Sequence, residues 1–385
     1  MTVHRTAEPV PTTAGDGKAG APATAGDGSA GAPATAGGGS AGAPATAGGG
    51  PAGDGRKPFE RLTALVADDL AAVGGLIRER MASEYAPRIP EISSHLIEAG
   101  GKRLRPILTL ASAQLCGYRG GDHIKLAATV EFIHTATLLH DDVVDESARR
   151  RGRPTANILF DNKSSVLVGD YLFARAFRLM FETGSLRVLD ILSEASAVIA
   201  EGEVLQLMTA GDIATDLERY RQVIRGKTAA LFAAAAEVGG VVAGADEARV
   251  AALRAFGESL GVAFQLADDW LDYAGADAAL GKNTGDDFRE GKVTMPVIHA
   301  IADARARGDA AAQAFWKRTI AQGEQAEGDL AEALALMARA GALEATRAAA
   351  QAEVARAIAA LEAFADTPLR QAMVDTAAYV VARDV

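Results

Sequence analysis

Apolar residues recur at intervals of three and four along most of the chain beyond Phe59. This period is typical of amphipathic helices, and it covers 59–83, 124–146, 164–183, 186–210, 216–242, 246–273 and most of 328–382. Glycine and proline interrupt the period at Gly100-Gly101, Gly120-Gly121, Gly152 to Pro154 and Gly281, where helices are expected to end. The pattern predicts an all-α body, folded as one large helical domain over residues 58–385.

The first 57 residues follow a different pattern, because a segment that begins Thr-Ala-Gly recurs there every eleven residues. The repeats start at Thr13, Thr24, Thr35 and Thr46, and their only apolar residues are alanine, glycine and proline. An eleven-residue period can produce a helical supercoil only when it carries an apolar stripe, which is missing here. We therefore expect residues 1–57 to form a disordered extension, since they bury too little apolar surface to offset the entropy of ordering.

Composition and charge narrow the class of protein. The chain of 385 residues is 49% apolar and 23% charged, which is ordinary for a globular protein. Its net charge of −11 resides in the body, and it argues against nucleic-acid binding, which needs a basic face. The richest apolar stretch, Ala229 to Ala245, is interrupted by Glu237, so no membrane-spanning helix is expected. Cys116 is the only cysteine, which excludes an intrachain disulfide and fits a reducing compartment.

Two segments with the pattern Asp-Asp-x-x-Asp carry the chemical signal. The first comprises Asp141, Asp142 and Asp145, and the second comprises Asp268, Asp269 and Asp272. On a helix the first and last aspartates of this pattern lie on one face, with their Cβ atoms about 5–6 Å apart. Two carboxylates at that spacing can share Mg²⁺, a cation that retains waters and takes phosphate oxygens as its other ligands.

A single motif of this kind could also be the solvated acidic face of a helix. The flanking apolar residues argue against that interpretation, because they predict helices that are buried on most sides. They are Leu138, Leu139, Val143 and Val144 at the first motif and Phe264, Leu266, Trp270 and Leu271 at the second. Carboxylates on buried helices are costly unless they are paired or hold a metal.

Basic residues supply the complement to these carboxylates. Lys102, Arg103 and Arg105 stand beside a predicted helix start, and Arg149 to Arg151 follows the first motif closely. Arginine binds phosphate oxygens through two parallel hydrogen bonds, whereas lysine acts as a point charge. The arginine run thus predicts a diphosphate site. A P-loop at Gly226-Lys227-Thr228 is excluded, because arginine replaces the glycine that opens that motif and no strand precedes it.

With these motifs the chain resembles the long-chain trans-polyprenyl diphosphate synthases, which include octaprenyl, solanesyl and decaprenyl diphosphate synthases. The resemblance covers roughly Phe59 to Val385 and rests on six motifs in the family's order. They are Gly-Gly-Lys-Arg-Leu-Arg-Pro at 100–106, Glu-Phe-Ile-His-Thr-Ala-Thr-Leu-Leu-His-Asp-Asp at 131–142, Arg-Arg-Gly-Arg-Pro-Thr at 150–155, Gly-Lys-Thr at 226–228, Phe-Gln-Leu-Ala-Asp-Asp at 264–269 and Gly-Asp-Asp-Phe-Arg-Glu-Gly-Lys at 285–292. The N-terminal repeats have no counterpart in that family.

The resemblance implies a helical bundle of the isoprenoid synthase type around a central cavity, with Mg²⁺ as the cofactor. The implied metal ligands are Asp141, Asp145, Asp268 and Asp272. The implied contacts of the allylic diphosphate are Arg150, Lys227 and Thr228, with Lys282 and Lys292 as helpers. The implied contacts of isopentenyl diphosphate are Lys102, Arg105, His134 and Arg151, and Gln265 would lie near the reacting carbons.

The implied reaction adds isopentenyl diphosphate repeatedly to an allylic diphosphate through an allylic carbocation. The family also implies a cytoplasmic homodimer that contacts the membrane transiently to release a lipid, commonly the ubiquinone side chain. Its short-chain members typically carry a bulky aromatic residue at one or both of the positions of Ala136 and Thr137, one turn before Asp141. Both residues are small here, which predicts a product of about forty to fifty carbons. Helix arithmetic leaves open that Ala136 simply packs against a neighbouring helix.

Other functions stay open at this point. A shorter-chain synthase or a terpene cyclase would share the acidic motifs. A non-catalytic subunit that adjusts a partner's product length typically lacks the second motif or the basic residues, and this chain has both. The pair His140-Asp141 suggests a metal-dependent phosphohydrolase, which needs further histidines on neighbouring helices. The body offers only His95, His123, His134 and His299 besides, and such an enzyme would leave the second acidic motif unexplained.

Overall fold

The computed structural model describes residues 57–98, 101–150, 152–274 and 284–382. The predicted N-terminal extension, apart from Lys57, lies outside the described residues, as do Arg151 and Lys282. The body begins with helix α1 (Pro58–Leu65), whose first position is occupied by proline, a residue that needs no N–H partner there. The main-chain N–H of Lys57 donates to the Glu60 carboxylate at 3.2 Å, which closes the start of the helix.

Helices account for nearly all of the ordered elements in these ranges. After α1 the chain forms α2 (Ala67–Met81), α3 (Arg88–Glu98), α4 (Leu104–Leu115), α5 (Asp122–Val144), strands β1 (Arg149–Arg150) and β2 (Arg153–Pro154), α6 (Ala156–Leu159), α7 (Asn162–Phe181), α8 (Leu186–Thr209) and α9 (Leu217–Ile224). A π-helical turn (Arg225–Ala229) leads into α10 (Ala230–Val242), α11 (Glu247–Ala274), α12 (Asp286–Arg289), α13 (Met295–Ala306) and α14 (Ala310–Trp316). A second π-helical turn (Lys317–Ala321) precedes α15 (Asp329–Arg339), α16 (Ala342–Ala360), a 3₁₀ turn (Leu361–Ala363) and α17 (Pro368–Val381).

The helical periods in the sequence predicted the long helices. Where the predicted and observed ranges differ, the cause is local. The range 59–83 divides at Val66 into α1 and α2, and the range 216–242 is interrupted by the π-helical turn at Arg225–Ala229. The antiparallel hairpin of β1 and β2 was not predicted, and it turns at Gly152, whose φ of +76° suits glycine. None of the helices in the described ranges combines the length and the apolar character needed to cross a membrane.

Helix α11 is shared by two hydrophobic cores. It contributes Leu260 and Ala267 to the larger core, which is formed mainly by α1–α5, α7, α8 and α10. It contributes Leu266 and Tyr273 to the smaller core, which is formed mainly with α13–α16. The second acidic motif therefore lies on a helix that is fixed from both sides.

Helix α8 crosses the first π-helical turn where each carries a glycine. A Cβ atom on Gly202 would lie 2.5 Å from the main-chain nitrogen of Lys227, and one on Gly226 would lie 2.9 Å from Gly202 Cα. These neighbouring atoms belong to the backbone and cannot move aside as a flexible side chain can. Any side chain at either position would therefore push α8 and the π-helical turn apart. π-helical turns are frequent at functional sites, and this one carries Lys227 and Thr228.

Candidate active site

The first acidic motif lies at the end of α5, and its aspartates have different surroundings. Asp142 is fully buried, and its Oδ1 accepts a hydrogen bond from Arg150 Nε at 2.9 Å. Asn157 Nδ2 donates to the main-chain oxygen of Asp142 at 3.2 Å, which fastens the following segment to the helix end. Asp145 is exposed, and Val144 is 52% exposed although burial was expected there. Asp142 thus holds Arg150 beside the motif.

Asp141 is the aspartate of this motif whose carboxylate has no protein partner in the described ranges to offset its loss of hydration. Its side chain is largely buried and forms no hydrogen bond or ion pair within the described part of the chain. Burial raises the pKa of Asp141 to about 7, with the charge of Glu203 acting in the same direction and that of Lys227 opposing it. A desolvated carboxyl that faces other anions is a group that a cation would satisfy.

Glu203, on α8, belongs to this site although no sequence motif indicated it. Its Oε2 accepts a hydrogen bond from Lys227 Nζ at 2.8 Å, and both side chains are mostly buried. Burial raises the pKa of Glu203, and the charge of Lys227 opposes that shift. The two residues are 24 positions apart in sequence, and only the crossing of α8 with the π-helical turn brings them together.

The second acidic motif is organised around Asp269, which is 3% exposed. Gln265 Nε2 donates to Asp269 Oδ1 at 2.8 Å, and the Tyr220 hydroxyl donates to Oδ2. Thr228 Oγ1 donates in turn to Gln265 Oε1 at 2.9 Å. Burial raises the pKa of Asp269, and the hydrogen bonds from Tyr220 and Gln265 oppose that shift. This chain of bonds ties the π-helical turn to α11, and Tyr220 is a second residue that sequence motifs did not indicate.

Asp272 ends the second motif beside the start of α12. The main-chain N–H groups of Asp286 and Asp287 donate to its two carboxylate oxygens at 3.2 and 3.1 Å. Its role as a metal ligand stays a prediction. Asp287 adds a mostly buried carboxyl to this cluster, where burial and the charge of Asp269 raise its pKa.

A cavity of about 350 Å³ joins the two motifs. Asp145 from the first motif, Asp269 from the second motif and Lys292 all line it. Lys292 Nζ lies 2.5 Å from a Glu290 oxygen and 3.8 Å from an Asp287 oxygen. Burial lowers the pKa of Lys292, but these carboxylates outweigh burial and raise it overall, so the lysine stays charged. Acidic groups from both motifs thus share one space with a cation.

The residues expected to bind isopentenyl diphosphate are only partly brought together. Nη1 of Arg105 lies 3.2 Å from His134 Nε2, and the guanidinium lies 4.4 Å from the ring centroid of Phe232. Burial lowers the pKa of Arg105 to about 10, which leaves it charged at neutral pH. His134 precedes Asp141 by about 10 Å along α5. Lys102 is exposed ahead of α4. Arg151 lies outside the described residues.

Ala136 and Thr137, the positions predicted to control product length, both lie within α5. Ala136 is fully buried in the larger core. The Thr137 hydroxyl donates to the main-chain oxygen of His134 at 2.8 Å. The burial of Ala136 agrees with packing against neighbouring helices, so its place at the wall of a product tunnel stays a prediction.

His140 turns towards α7, away from the acidic residues that follow it. Its Nε2 lies 3.1 Å from the main-chain oxygen of Val166, and its ring stacks on Phe173 with the centroids 6.1 Å apart. The ring therefore helps to pack α5 on α7. This arrangement does not fit the metal-binding histidine of a phosphohydrolase.

Comparison with known sequences identifies the family of this chain. The sequence model of the polyprenyl synthetase family matches residues 86–337. The chain belongs to the polyprenyl synthetase family. The matched range includes both acidic motifs, the Glu203–Lys227 pair and Lys292, so the resemblance drawn from the six motifs is confirmed.

The regions aligned with similar proteins cover most of the chain. Octaprenyl diphosphate synthase of Escherichia coli is 46% identical over 325 residues, which cover 84% of this chain and 99% of that protein. The crystal structure of a decaprenyl diphosphate synthase from Rhodobacter capsulatus is 64% identical with a TM-score of 0.81, and covers 84% of this chain and 99% of that one. The crystal structure of a polyprenyl synthase from Caulobacter crescentus, complexed with calcium and isoprenyl diphosphate, is 52% identical with a TM-score of 0.79. It covers 85% of this chain and 99% of that one. The predicted all-α fold of the isoprenoid synthase type is confirmed.

The donor atoms fit a divalent cation whose shell is completed by other ligands. Within the described ranges, no three His, Cys, Asp or Glu side chains form a metal-binding group by themselves. Mg²⁺ is usually bound through one or two carboxylates, and water and substrate phosphate fill its other positions. Asp141 offers an uncompensated carboxylate, and Asp142 Oδ2 is buried without a hydrogen-bond partner. Carboxylate oxygens are the hard donors that Mg²⁺ prefers, so these residues fit a Mg²⁺ ion that also binds water and substrate phosphate.

The state of Asp141 gives a prediction for the metal-free protein. A carboxyl whose pKa is raised on folding lowers stability as the pH rises from the unfolded pKa to the folded one. The shift from 3.8 to about 7 corresponds to at most about 4 kcal/mol. In the presence of a chelator, Asp141→Asn should therefore melt at a higher temperature than the wild type at pH 8.5. The two proteins should melt together near pH 4.

The control for this experiment is Asp145→Asn, which neutralises the exposed carboxylate of the same motif. We expect it to change the melting temperature much less, because its carboxylate is already solvated. Thermal unfolding followed by circular dichroism at both pH values checks the prediction. A stabilisation of Asp141→Asn that is the same at pH 4 and pH 8.5 would contradict it.

Proposed function

We propose that this enzyme is a trans-polyprenyl diphosphate synthase that makes an all-trans product of about forty to fifty carbons. It adds isopentenyl diphosphate repeatedly to an allylic diphosphate such as farnesyl diphosphate. The observation that carries the proposal is that Asp145, Asp269 and Lys292 line one cavity. Similar proteins named octaprenyl and nonaprenyl diphosphate synthase, 46% and 43% identical, support the long product.

The two acidic motifs and the cations beside them bind the allylic substrate in this proposal. The proposed Mg²⁺ ligands are Asp141, Asp145, Asp268 and Asp272. Bound Mg²⁺ supplies the positive charge that stabilises a departing diphosphate. The proposed contacts of that diphosphate are Arg150, Lys227, Thr228, Lys282 and Lys292. Their charges are in place before the reaction, so little reorganisation is needed as negative charge develops on the leaving group.

The second substrate is held on the other side of the reacting carbons. The proposed contacts of its diphosphate are Lys102, Arg105, His134 and Arg151. The allylic C–O bond breaks with both electrons on the diphosphate, and the isopentenyl double bond then attacks the carbocation. Loss of a proton, which the released diphosphate accepts, restores an allylic diphosphate that is one unit longer. Gln265, which is hydrogen-bonded to Thr228 and Asp269, is the residue proposed to lie near the reacting carbons.

We further propose that the enzyme is a homodimer assembled through α7 and α8. These two helices pack on each other, and both expose large apolar side chains. On α7 these are Val166, Leu167, Phe177 and Phe181, and on α8 they are Leu186, Val204, Leu207 and Met208. On each helix the residues fall within a stripe of roughly 100°. Apolar stripes on adjacent helices mark an interaction surface, and a twofold contact is the commonest way to cover one.

The product determines where the proposed enzyme works. A chain of forty to fifty carbons is insoluble in water, so we propose a cytoplasmic enzyme that contacts the membrane transiently when the product leaves. Its proposed use is as the side-chain precursor of a quinone such as ubiquinone. Vesicles that accelerate turnover would support the membrane contact, since release would then limit the rate.

The decisive experiment measures product length with purified protein, farnesyl diphosphate, isopentenyl diphosphate and Mg²⁺. We expect products of forty to fifty carbons by chromatography, and Asp268→Asn should lower turnover by about two orders of magnitude. Asp190→Asn, an exposed change on α8, is the control and should keep the wild-type rate. A product of fifteen or twenty carbons would indicate a short-chain synthase. No turnover without a partner would indicate a non-catalytic subunit.

Product length also gives a prediction for Ala136. If α5 forms the tunnel wall, Ala136→Phe should shorten the product to about fifteen to twenty carbons while isopentenyl diphosphate is still consumed. Because Ala136 is fully buried, the larger ring also costs about 1–3 kcal/mol of stability, so folding must be verified. Ala136→Ser keeps the small volume and should keep the long product. A folded Phe variant with an unchanged product would place the end of the tunnel on another helix.

The proposed dimer is tested by Phe177→Glu with Phe181→Glu. These side chains are 44% and 70% exposed, so the charges harm the interface more than the fold. We expect the dimer to dissociate to a monomer in light scattering after gel filtration. Tyr85→Glu, at a position that is 95% exposed outside α7 and α8, is the control and should stay dimeric. A wild type that is monomeric at micromolar concentration would refute the dimer.

A further inference from the structure

The ion pair between Glu203 and Lys227 is built into the fold. Its N···O distance is 2.8 Å, and the exposed fractions of the two side chains are 22% and 24%. Both groups lose most of their hydration, so each depends on the other for compensation. The pair sits where α8 and the π-helical turn touch at Gly202 and Gly226, one residue before each partner. The contact between glycines therefore sets which acid faces Lys227.

The surroundings of the pair show what Lys227 would otherwise contact. The charges of Lys227 and Glu203 both act on Asp141, with opposite signs. The charges of Asp145 and Lys292, which both line the cavity between the two acidic motifs, also act on Glu203. Asp141 has no hydrogen bond or ion pair of its own within the described residues. Its carboxylate is an alternative partner for an unrestrained Lys227, because the charge of Lys227 already acts on it.

We propose that Glu203 is a positioning residue that holds the ammonium group of Lys227 apart from Asp141 until the allylic diphosphate arrives. This inference rests on the proposed function, in which Lys227 binds that diphosphate and Asp141 binds the metal. An ion pair between Lys227 and Asp141 would neutralise both groups and remove them from substrate binding. In this proposal Glu203 keeps Asp141 available for the metal and keeps Lys227 available for the diphosphate.

The inference predicts a selective loss of binding to one of the two substrates. Glu203→Ala should raise KM for the allylic diphosphate about tenfold, and Glu203→Gln, which keeps an oxygen that accepts from Lys227, should raise it about threefold. KM for isopentenyl diphosphate should change less than twofold, because Arg105 and His134 are not contacts of Glu203. Glu201→Gln, an exposed change on the same helix, is the matched control and should keep both values.

A double-mutant cycle shows whether Glu203 acts through Lys227. Glu203→Gln should have no further effect on the allylic KM when Lys227→Met is already present. Calorimetry with a non-reactive thiolo analogue of farnesyl diphosphate in Mg²⁺ should show the same loss of affinity in the single variants without any turnover. This binding measurement also covers variants whose rate is too low to follow, and thermal unfolding verifies that each variant is folded.

Each contrary result has a definite meaning. Tighter allylic binding in Glu203→Ala would show that Glu203 merely competes with substrate for Lys227, and it would overturn the inference. Equal increases in both KM values, or an effect that persists in Lys227→Met, would overturn it too. If the wild type itself made no prenyl diphosphate product, the proposed function would fail first, which is a distinguishable outcome.

Discussion

The structure depends on holding several carboxyl groups in one partly desolvated space. Asp141, Asp269, Asp287 and Glu203 all have their pKa raised by burial. Such groups are unfavourable unless each has a hydrogen bond, a cation or a bound metal. The neighbouring polar groups supply that compensation unevenly, and Asp141 receives the least. This difference matters for metal binding, because carboxylates that are all paired with protein donors would have little remaining affinity for a cation.

The two acidic motifs share a sequence pattern, but the fold uses their aspartates differently. The middle aspartates, Asp142 and Asp269, are both buried and bound by protein donors, namely Arg150 at the first and Gln265 with Tyr220 at the second. They stabilise the local structure. The side chain of the first aspartate of the α5 motif, Asp141, has no hydrogen bond or ion pair within the described residues, and this contrast is why we propose it as a metal ligand. Helix geometry explains the difference, since adjacent residues point about 100° apart.

The sequence predicted much of the fold and the residue types of the site, because both follow from local patterns. The periods over 124–146, 186–210 and 246–273 agree with α5, α8 and α11 to within two residues at each end. The sequence did not predict the π-helical turn, Glu203 or Tyr220. Their positions depend on contacts across 24 and 49 residues, between Glu203 and Lys227 and between Tyr220 and Asp269. A glutamate in a helical pattern looks like any surface acid until the crossing at Gly202 is known.

The π-helical turn connects these observations. It places Lys227 towards Glu203 on α8 and the next residue, Thr228, towards Gln265 on α11. Consecutive residues therefore link the turn to the surroundings of both acidic motifs, since Glu203 acts on Asp141 and Gln265 binds Asp269. An uninterrupted α-helix would rotate these side chains differently relative to α10, because a π turn accommodates one extra residue. The local distortion thus gives Lys227 and Thr228, two of the proposed diphosphate contacts, separate partners on α8 and α11.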